Sequence, residues 1–305
     1  MTGTARTMST TDWATLLALA LLWGGSFFFI EIALRGFDPL TLVFARTAMG
    51  AAILWGVALL SGKSFPRDLA TWRGLLAQAL LNNVVPLILF SWGQTQISGG
   101  LAAIFNATTP VWGVLIAHAW IAGERLTVAR AVALALGVAG VAVTVGGDAL
   151  RGLGAHLLPQ LACLVGAFSY SVASILGRRF SAAGVDPIVT AAGSLAMAAL
   201  VTLPLMLGMG QPWNAAPPSL ASWGALAALG ILSSALGFLL YYRLLASAGA
   251  TNTMLVTFLI PITPIVLGWL VLGEKLAPQH FLGLGLIACG LVALDGRLPL
   301  ALRRS

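Results

Sequence analysis

The sequence predicts an all-α membrane protein of ten transmembrane helices, arranged as two inverted five-helix repeats. Three observations predict it. Apolar residues make up 59% of the 305 and charged residues only 8%, with a mean hydropathy of +0.97. A soluble domain carries roughly a quarter charged residues. The apolar residues also fall in runs of about 20, the length a helix needs to cross a bilayer core. Finally, the second half of the chain repeats features of the first in order.

Ten spans meet the length requirement: 13–34, 39–61, 72–93, 98–122, 127–147, 156–180, 186–208, 221–246, 250–272 and 278–295. Their boundaries carry breakers or charges, such as Asp38-Pro39, Gly62-Lys63, Asp186-Pro187 and Gly273-Glu274. The first run is longer than the apolar region of a cleaved signal and no small-x-small site follows it, so it reads as a retained span. Spans 3 and 4 are joined by a tight link near Gln94–Gly99.

The repeat is visible in residue offsets. Gly123-Glu124-Arg125-Leu126 recurs as Gly273-Glu274-Lys275-Leu276, 150 residues on. Asp38-Pro39 with Met49 recurs as Asp186-Pro187 with Met197 at 148, and Trp72 and Pro110 match Trp223 and Pro261 at 151. Ordered matches at a near-constant offset mark an internal duplication. The halves are 1–150 and 151–305. Five spans per half is an odd number, so the second half enters the membrane upside down. That geometry is characteristic of secondary transporters, whose substrate site lies near the midplane between the halves.

Charge sets the orientation. Twelve of the sixteen Lys and Arg fall on the side shared by the two termini and the even-numbered loops, which the positive-inside rule makes cytoplasmic. The net charge of +7 is therefore read as a topology signal, as expected of an inner-membrane protein. No basic stripe with interleaved aromatics suggests nucleic acid. Cys163 and Cys289 both lie in apolar runs and read as two small buried hydrophobes. The partners expected are the lipid bilayer and a small-molecule substrate. The chain is expected to act as a monomer, with no metal or other cofactor.

Several pieces resemble the EamA-type branch of the drug/metabolite transporter superfamily. They are Trp23-Gly24-x-Ser26-Phe27, Pro39 followed by Arg46, Pro110 with the Gly123-Glu124-Arg125-Leu126 ending, and Pro264 with Gly273-Glu274-Lys275-Leu276. As a whole the chain is similar to bacterial amino-acid exporters of the YddG type. The resemblance implies a ten-helix basket that exports small neutral metabolites, aromatic amino acids and methionine first, by rocking of its inverted halves. One departure is that the position equivalent to Arg46 is Ser194.

Polar groups at membrane depth are costly, so each is a candidate for function. Asn82-Asn83 sits near the middle of span 3, and the offset of 151 places Ser233-Ser234 at matching depth in span 8. Amides and hydroxyls there either bind the ends of a zwitterion or join packed helices. Trp23, Tyr170 and Tyr241 offer ring faces to an aromatic or thioether side chain. Asn106, ahead of Thr108-Thr109-Pro110, marks a weakened helix. Pro110 and its counterparts Pro261 and Pro264 remove backbone hydrogen bonds and make spans 4 and 9 either moving gates or statically kinked. Glu31 and Arg46 read first as a salt bridge close to the extracellular interface, second as a substrate-attracting or gating pair.

None of the nine acidic residues falls at mid-span, so no proton relay of the usual kind is expected. His118, His156 and His280 all lie near span ends. With no deep carboxylate beside them, a hydrolytic or metal-dependent intramembrane enzyme is a remote alternative. The nearer alternative is a multidrug or other metabolite exporter of the same superfamily.

Overall fold

The computed structural model describes residues 8–120, 128–145, 157–210, 217–253 and 255–295. They form ten helical stretches. α1 is Thr10–Ala33, α2 Pro39–Leu60, and α3 Leu69–Gly93. α4 comprises Gly99–Asn106 and Thr109–Trp120. α5 is Val128–Val145, α6 Leu157–Ala182, α7 Pro187–Met209 and α8 Leu220–Ala248. α9 is broken into Ala250–Thr253, Val256–Leu259, Ile262–Leu267 and Gly268–Leu272, and α10 is Pro278–Asp295. These bounds agree with the expected spans to within a turn. The Gly123–Leu126 motif, Asp148, His156 and the C-terminal arginines lie outside the described residues.

Seven of these helices are long and apolar enough to cross a membrane, and shorter apolar helices occur at Leu134–Thr144 and Ile262–Leu272. Leu60, Leu207, Leu220 and Trp269 are exposed on the outer surface. In water such a surface would be a liability; against lipid it is the required one. The helix starts follow from local chemistry. Ser9 and Asp12 form a capping box at α1, while Asp38 and Asp186 cap helices that open with Pro39 and Pro187. Proline at the first helical position removes an N–H that had no partner there anyway.

The inversion is visible in how equivalent helices pack. α2 lies against α7 with the chains antiparallel: the ammonium of Lys63, past the end of α2, meets the Asp186 carboxylate at the start of α7 at 2.7 Å. At the other end, Gly210 after α7 sits beside Asp38 before α2. α5 and α10 also run antiparallel, because Gly140 faces Ile287 while Thr144 faces Gly283. Between these two pairs, α1 packs on α8 and α6 packs on α3, so each half is completed by the other. The N-terminal end of α1 reaches the end of α8 through Ser247, whose hydroxyl donates to Asp12.

Cys163 is buried, whereas Cys289 is exposed on α10. The expectation of two buried thiols fails there because α10 turns only its Gly283–Ile287 face inward.

The α5–α10 contact depends on missing side chains. A Cβ on Gly140 would come within 2.7 Å of the Gly283 carbonyl oxygen, and backbone cannot yield as a side chain does. Gly140→Leu is expected to cost about 1–3 kcal/mol through overpacking, read as a lower melting temperature of the purified protein in detergent. An unchanged melting temperature would show that the two helices separate at no cost.

Candidate functional site

Of three stretches of π-helix among the described residues, one lies in α9 at Gly268–Leu272, with Trp269 exposed on the outside, and two line the interior. One is Leu80–Val84 in α3 and the other Leu229–Leu236 in α8. They contain the equivalent pairs Asn82-Asn83 and Ser233-Ser234. A π segment loosens the backbone ladder and gathers at functional sites. In the first, the Leu81 carbonyl would look for the N–H of residue 86, which is Pro86. The Ser169 hydroxyl of α6 donates to it instead, at 2.7 Å. In the second, the Ser233 carbonyl accepts from the Trp23 indole N–H of α1 at 3.2 Å, and the Ser233 hydroxyl donates to the Leu22 carbonyl at 3.0 Å.

The equivalence extends to the partners. Arg46 Nε donates to the Ser234 hydroxyl at 3.3 Å, and Asn83 Nδ2 reaches the Ser194 hydroxyl at 3.5 Å. Arg46 and Ser194 are matching positions, as are Asn83 and Ser234. These are thus two copies of one cross-half contact, between α2 and α8 and between α7 and α3. The α2–α8 copy is close because Gly50, one turn beyond Arg46, leaves room: a Cβ there would lie 2.8 Å from the Ser234 Cβ.

Beside these contacts stand two aromatic groups. Trp23 lies against Tyr241, with ring centroids at 5.4 Å, and against the edge of Phe238 at 6.2 Å. Phe90 stacks on Tyr170 at 6.0 Å and takes Phe27 edge-on at 5.6 Å. Tyr170 and Arg46 are near enough to interact electrostatically. Asn106 ends the first piece of α4 and Pro110 falls in the first turn of the second; the Asn106 carbonyl, four residues before the proline, accepts from the Thr109 hydroxyl, and the Ser171 hydroxyl donates to the Thr109 carbonyl beside the break. The break therefore sits one residue along α6 from Tyr170. Pro261 and Pro264 occupy the corresponding break in α9. There Gly24 of α1 admits the Ile260 carbonyl, which a Cβ on residue 24 would meet at 2.5 Å.

The structure thus gathers Arg46, Ser234 and Tyr170 on one side of the second π segment and Trp23, Ser233 and Tyr241 on the other. Ser233 is engaged with α1, and Asn83 is buried against Ser194. Among the described residues, Asn82, Asn106, Tyr170 and Tyr241 make no side-chain hydrogen bond, and each is only half-buried.

The salt bridge expected between Glu31 and Arg46 is absent. The outer end of α1 packs on α4 and α9, whereas α2 packs on α7 and α8, so the two side chains leave in different directions. Glu31 accepts from the Gly99 N–H at 3.1 Å and lies within hydrogen-bonding reach of Glu274. Arg46 is also deeper than an interfacial residue, about 11 Å along α2 at 1.5 Å per residue.

Sequence reasoning did not find the Glu31–Glu274 pair. Both Glu274 oxygens are sealed from solvent with no full hydrogen bond from a described donor, and the amides of Gly99 and Gly100 point toward them. Gln94, beside Gly99, is buried and has neither amide atom paired. The one available signal was the Gly-Glu ending, which names the residue and not its partner.

Several known proteins match this chain. The profile of the EamA-like transporter family matches twice, over residues 13–146 and 157–294. An inner membrane transporter of Escherichia coli K12, YedA, is 27% identical over 91% of this chain and 88% of its own. A probable terminal-alkyne amino-acid exporter of Streptantibioticus cattleyicolor is 26% identical over 95% of each chain. A solved crystal structure at 20% identity superposes with a TM-score of 0.67, over 94% of this chain and 98% of its own.

The carboxyl pair predicts a pH response. The Glu274 carboxyl, in the turn after α9, is pushed from its ordinary 4.5 up to about 8, by burial first and then by hydrogen bonding and charge from Glu31. The folded protein therefore holds this proton more tightly than the unfolded chain does. The stabilisation is complete below pH 4.5 and lost as pH rises through about 8. The melting temperature in detergent is expected to fall over that window, and Glu274→Gln, which cannot ionise, to flatten the fall. An equal slope in wild type and variant would mean that the pair holds no proton.

Proposed function

The chain belongs to the EamA-like transporter family, and on that premise we propose that this multi-pass membrane transporter exports small neutral metabolites by alternating access. Amino acids are the favoured substrates, aromatic ones and methionine first. The observation that carries this reading is the set of unpartnered groups around the two π segments. Asn82 and Tyr170 can donate to and accept from a zwitterion, and the Phe90–Tyr170 and Trp23–Tyr241 rings can take its side chain. The amino-acid exporter among the relatives supports the same class. A cation in this interior is unfavourable to the cationic drugs that a multidrug exporter would carry.

Ten crossings in two halves, 1–150 and 151–305, complete the reading. Both termini face the cytoplasm on the positive-inside rule, and the chain works as a monomer. α4 and α9 are the moving elements: each is broken near its proline, and both reach α1, through Gly99 and Gly24 respectively. Among the described residues no carboxylate lies at mid-depth to relay a proton, which supports facilitated diffusion or exchange, or coupling by another kind of group.

Counterflow of labelled amino acids in proteoliposomes tests the substrate class. Phenylalanine, tryptophan and methionine are expected to exchange. Asn82→Ala and Tyr170→Ala are each expected to weaken the apparent affinity about two- to tenfold, the worth of one neutral hydrogen bond. No exchange of any amino acid, or full activity in both variants, would remove this reading.

The gating role has its own test. Gly100 of α4 lies against Ile265 of α9 and Leu276 beyond it; a Cβ there would be 3.3 Å and 3.5 Å from their side chains. Joining Gly100→Cys to Leu276→Cys with a short bifunctional reagent is expected to stop exchange while the melting temperature holds or rises. Exchange that survives the link would make both breaks static.

A further inference from the structure

We propose that Arg46, together with the Ser234 hydroxyl, is a carboxylate-binding subsite, so that this transporter recognises its substrate by the acid end. The inference deepens the amino-acid reading above and rests on it for the identity of the whole molecule, not for the carboxylate.

Arg46 is 7% exposed and about two turns inside α2. A buried guanidinium carries five N–H donors and a full charge. Leaving it unpaired costs several kcal/mol, so such residues are found with a carboxylate or a set of carbonyls around them. Here one donor of the five has an acceptor, the Ser234 hydroxyl at 3.3 Å. The two terminal nitrogens have none among the described residues, yet neither is sealed from solvent.

The carboxylates whose side chains the structure describes are engaged elsewhere. Glu31 and Glu274 face each other. Asp38 and Asp68 cap their own helices, Asp186 holds Lys63, and Asp12 accepts from Ser247. Held in place through Nε, the guanidinium presents its terminal edge, the face that takes a carboxylate through two parallel hydrogen bonds. The Ser234 hydroxyl, which accepts from Nε, keeps its own proton to donate. The Tyr170 ring, near Arg46, puts an aromatic surface beside the same point.

The repeat adds an independent argument. The matching contact, Ser194 with Asn83, is made of neutral groups joined by one hydrogen bond of 3.5 Å. The same architecture therefore closes without an arginine. The charge at position 46 adds nothing the fold requires, and its open edge is what a ligand anion would fill.

The test is a thermal-shift series on purified protein in detergent, using L-phenylalanine, L-phenylalaninamide, phenethylamine and hydrocinnamate. These carry respectively both charged ends, the ammonium with the acid masked, the ammonium alone and the carboxylate alone. Phenylalanine and hydrocinnamate are expected to raise the melting temperature, and the two compounds without a carboxylate are not. In Arg46→Gln both acids are expected to bind about ten- to hundredfold more weakly, the worth of a charge-assisted hydrogen bond, with part of the loss recovered in Arg46→Lys. Stabilisation by hydrocinnamate without phenylalanine would sink the amino-acid reading and leave the subsite standing. Stabilisation by the amide equal to that by the acid, an undiminished response in Arg46→Gln, or no response to either acid would overturn the subsite. Should Arg46→Gln fail to fold, the wild-type ligand series decides alone.

Discussion

In hydrocarbon, a peptide N–H or carbonyl that leaves the helical ladder must find a partner inside the protein. The interior of this transporter is arranged around that constraint. At the two π segments of the interior, in α3 and α8, another helix supplies a bond to the loosened backbone. Ser169 serves the Leu81 carbonyl and Trp23 serves that of Ser233, while Ser171 adds a bond to the Thr109 carbonyl beside the break in α4. Each supplier comes from α1 or α6, the equivalent first helices of the two halves. The π segments and the break in α4 thus exist because α1 and α6 lie alongside them, and α1 and α6 are held in place by the same bonds.

This arrangement explains why glycine is frequent in the interior without invoking flexibility. Gly50, Gly140 and Gly24 all face backbone or short side chains of the other half at distances that exclude a Cβ. Close approach lets a serine hydroxyl or an indole N–H reach a carbonyl on the neighbouring helix. With no hydrophobic force between helices in lipid, such packing and bonding must supply the attraction.

Most of the fold was legible in the sequence, because hydropathy dominates the choice between lipid and water. Offsets of 148 and 151 also placed Asn82-Asn83 opposite Ser233-Ser234 and Arg46 opposite Ser194. What the sequence could not convey was azimuth, the direction in which a residue leaves its helix. Glu31 and Arg46 stand on consecutive helices that share a turn, and on that basis alone they would pair. They point apart because α1 and α2 pack on different neighbours. Of the two π segments that line the interior, the first had a signal in Pro86, which cannot complete the ladder. The second has no proline, and the aromatic donor that compensates for it lies more than 200 residues away.

The two cross-half contacts also differ in one respect that the duplication does not require. Each lies about 11 Å from the start of its own helix, and α2 and α7 start at opposite ends of the bundle. One contact carries a formal charge and the other does not. The interior consequently has a polarity along its long axis, positive toward the end where α2 begins. A molecule that is neutral overall but has separated charges, lying between the contacts, experiences a torque rather than a net pull. Its resting orientation would be fixed before any side-chain pocket is consulted, giving a duplicated, nearly symmetric framework an intrinsic sense of direction.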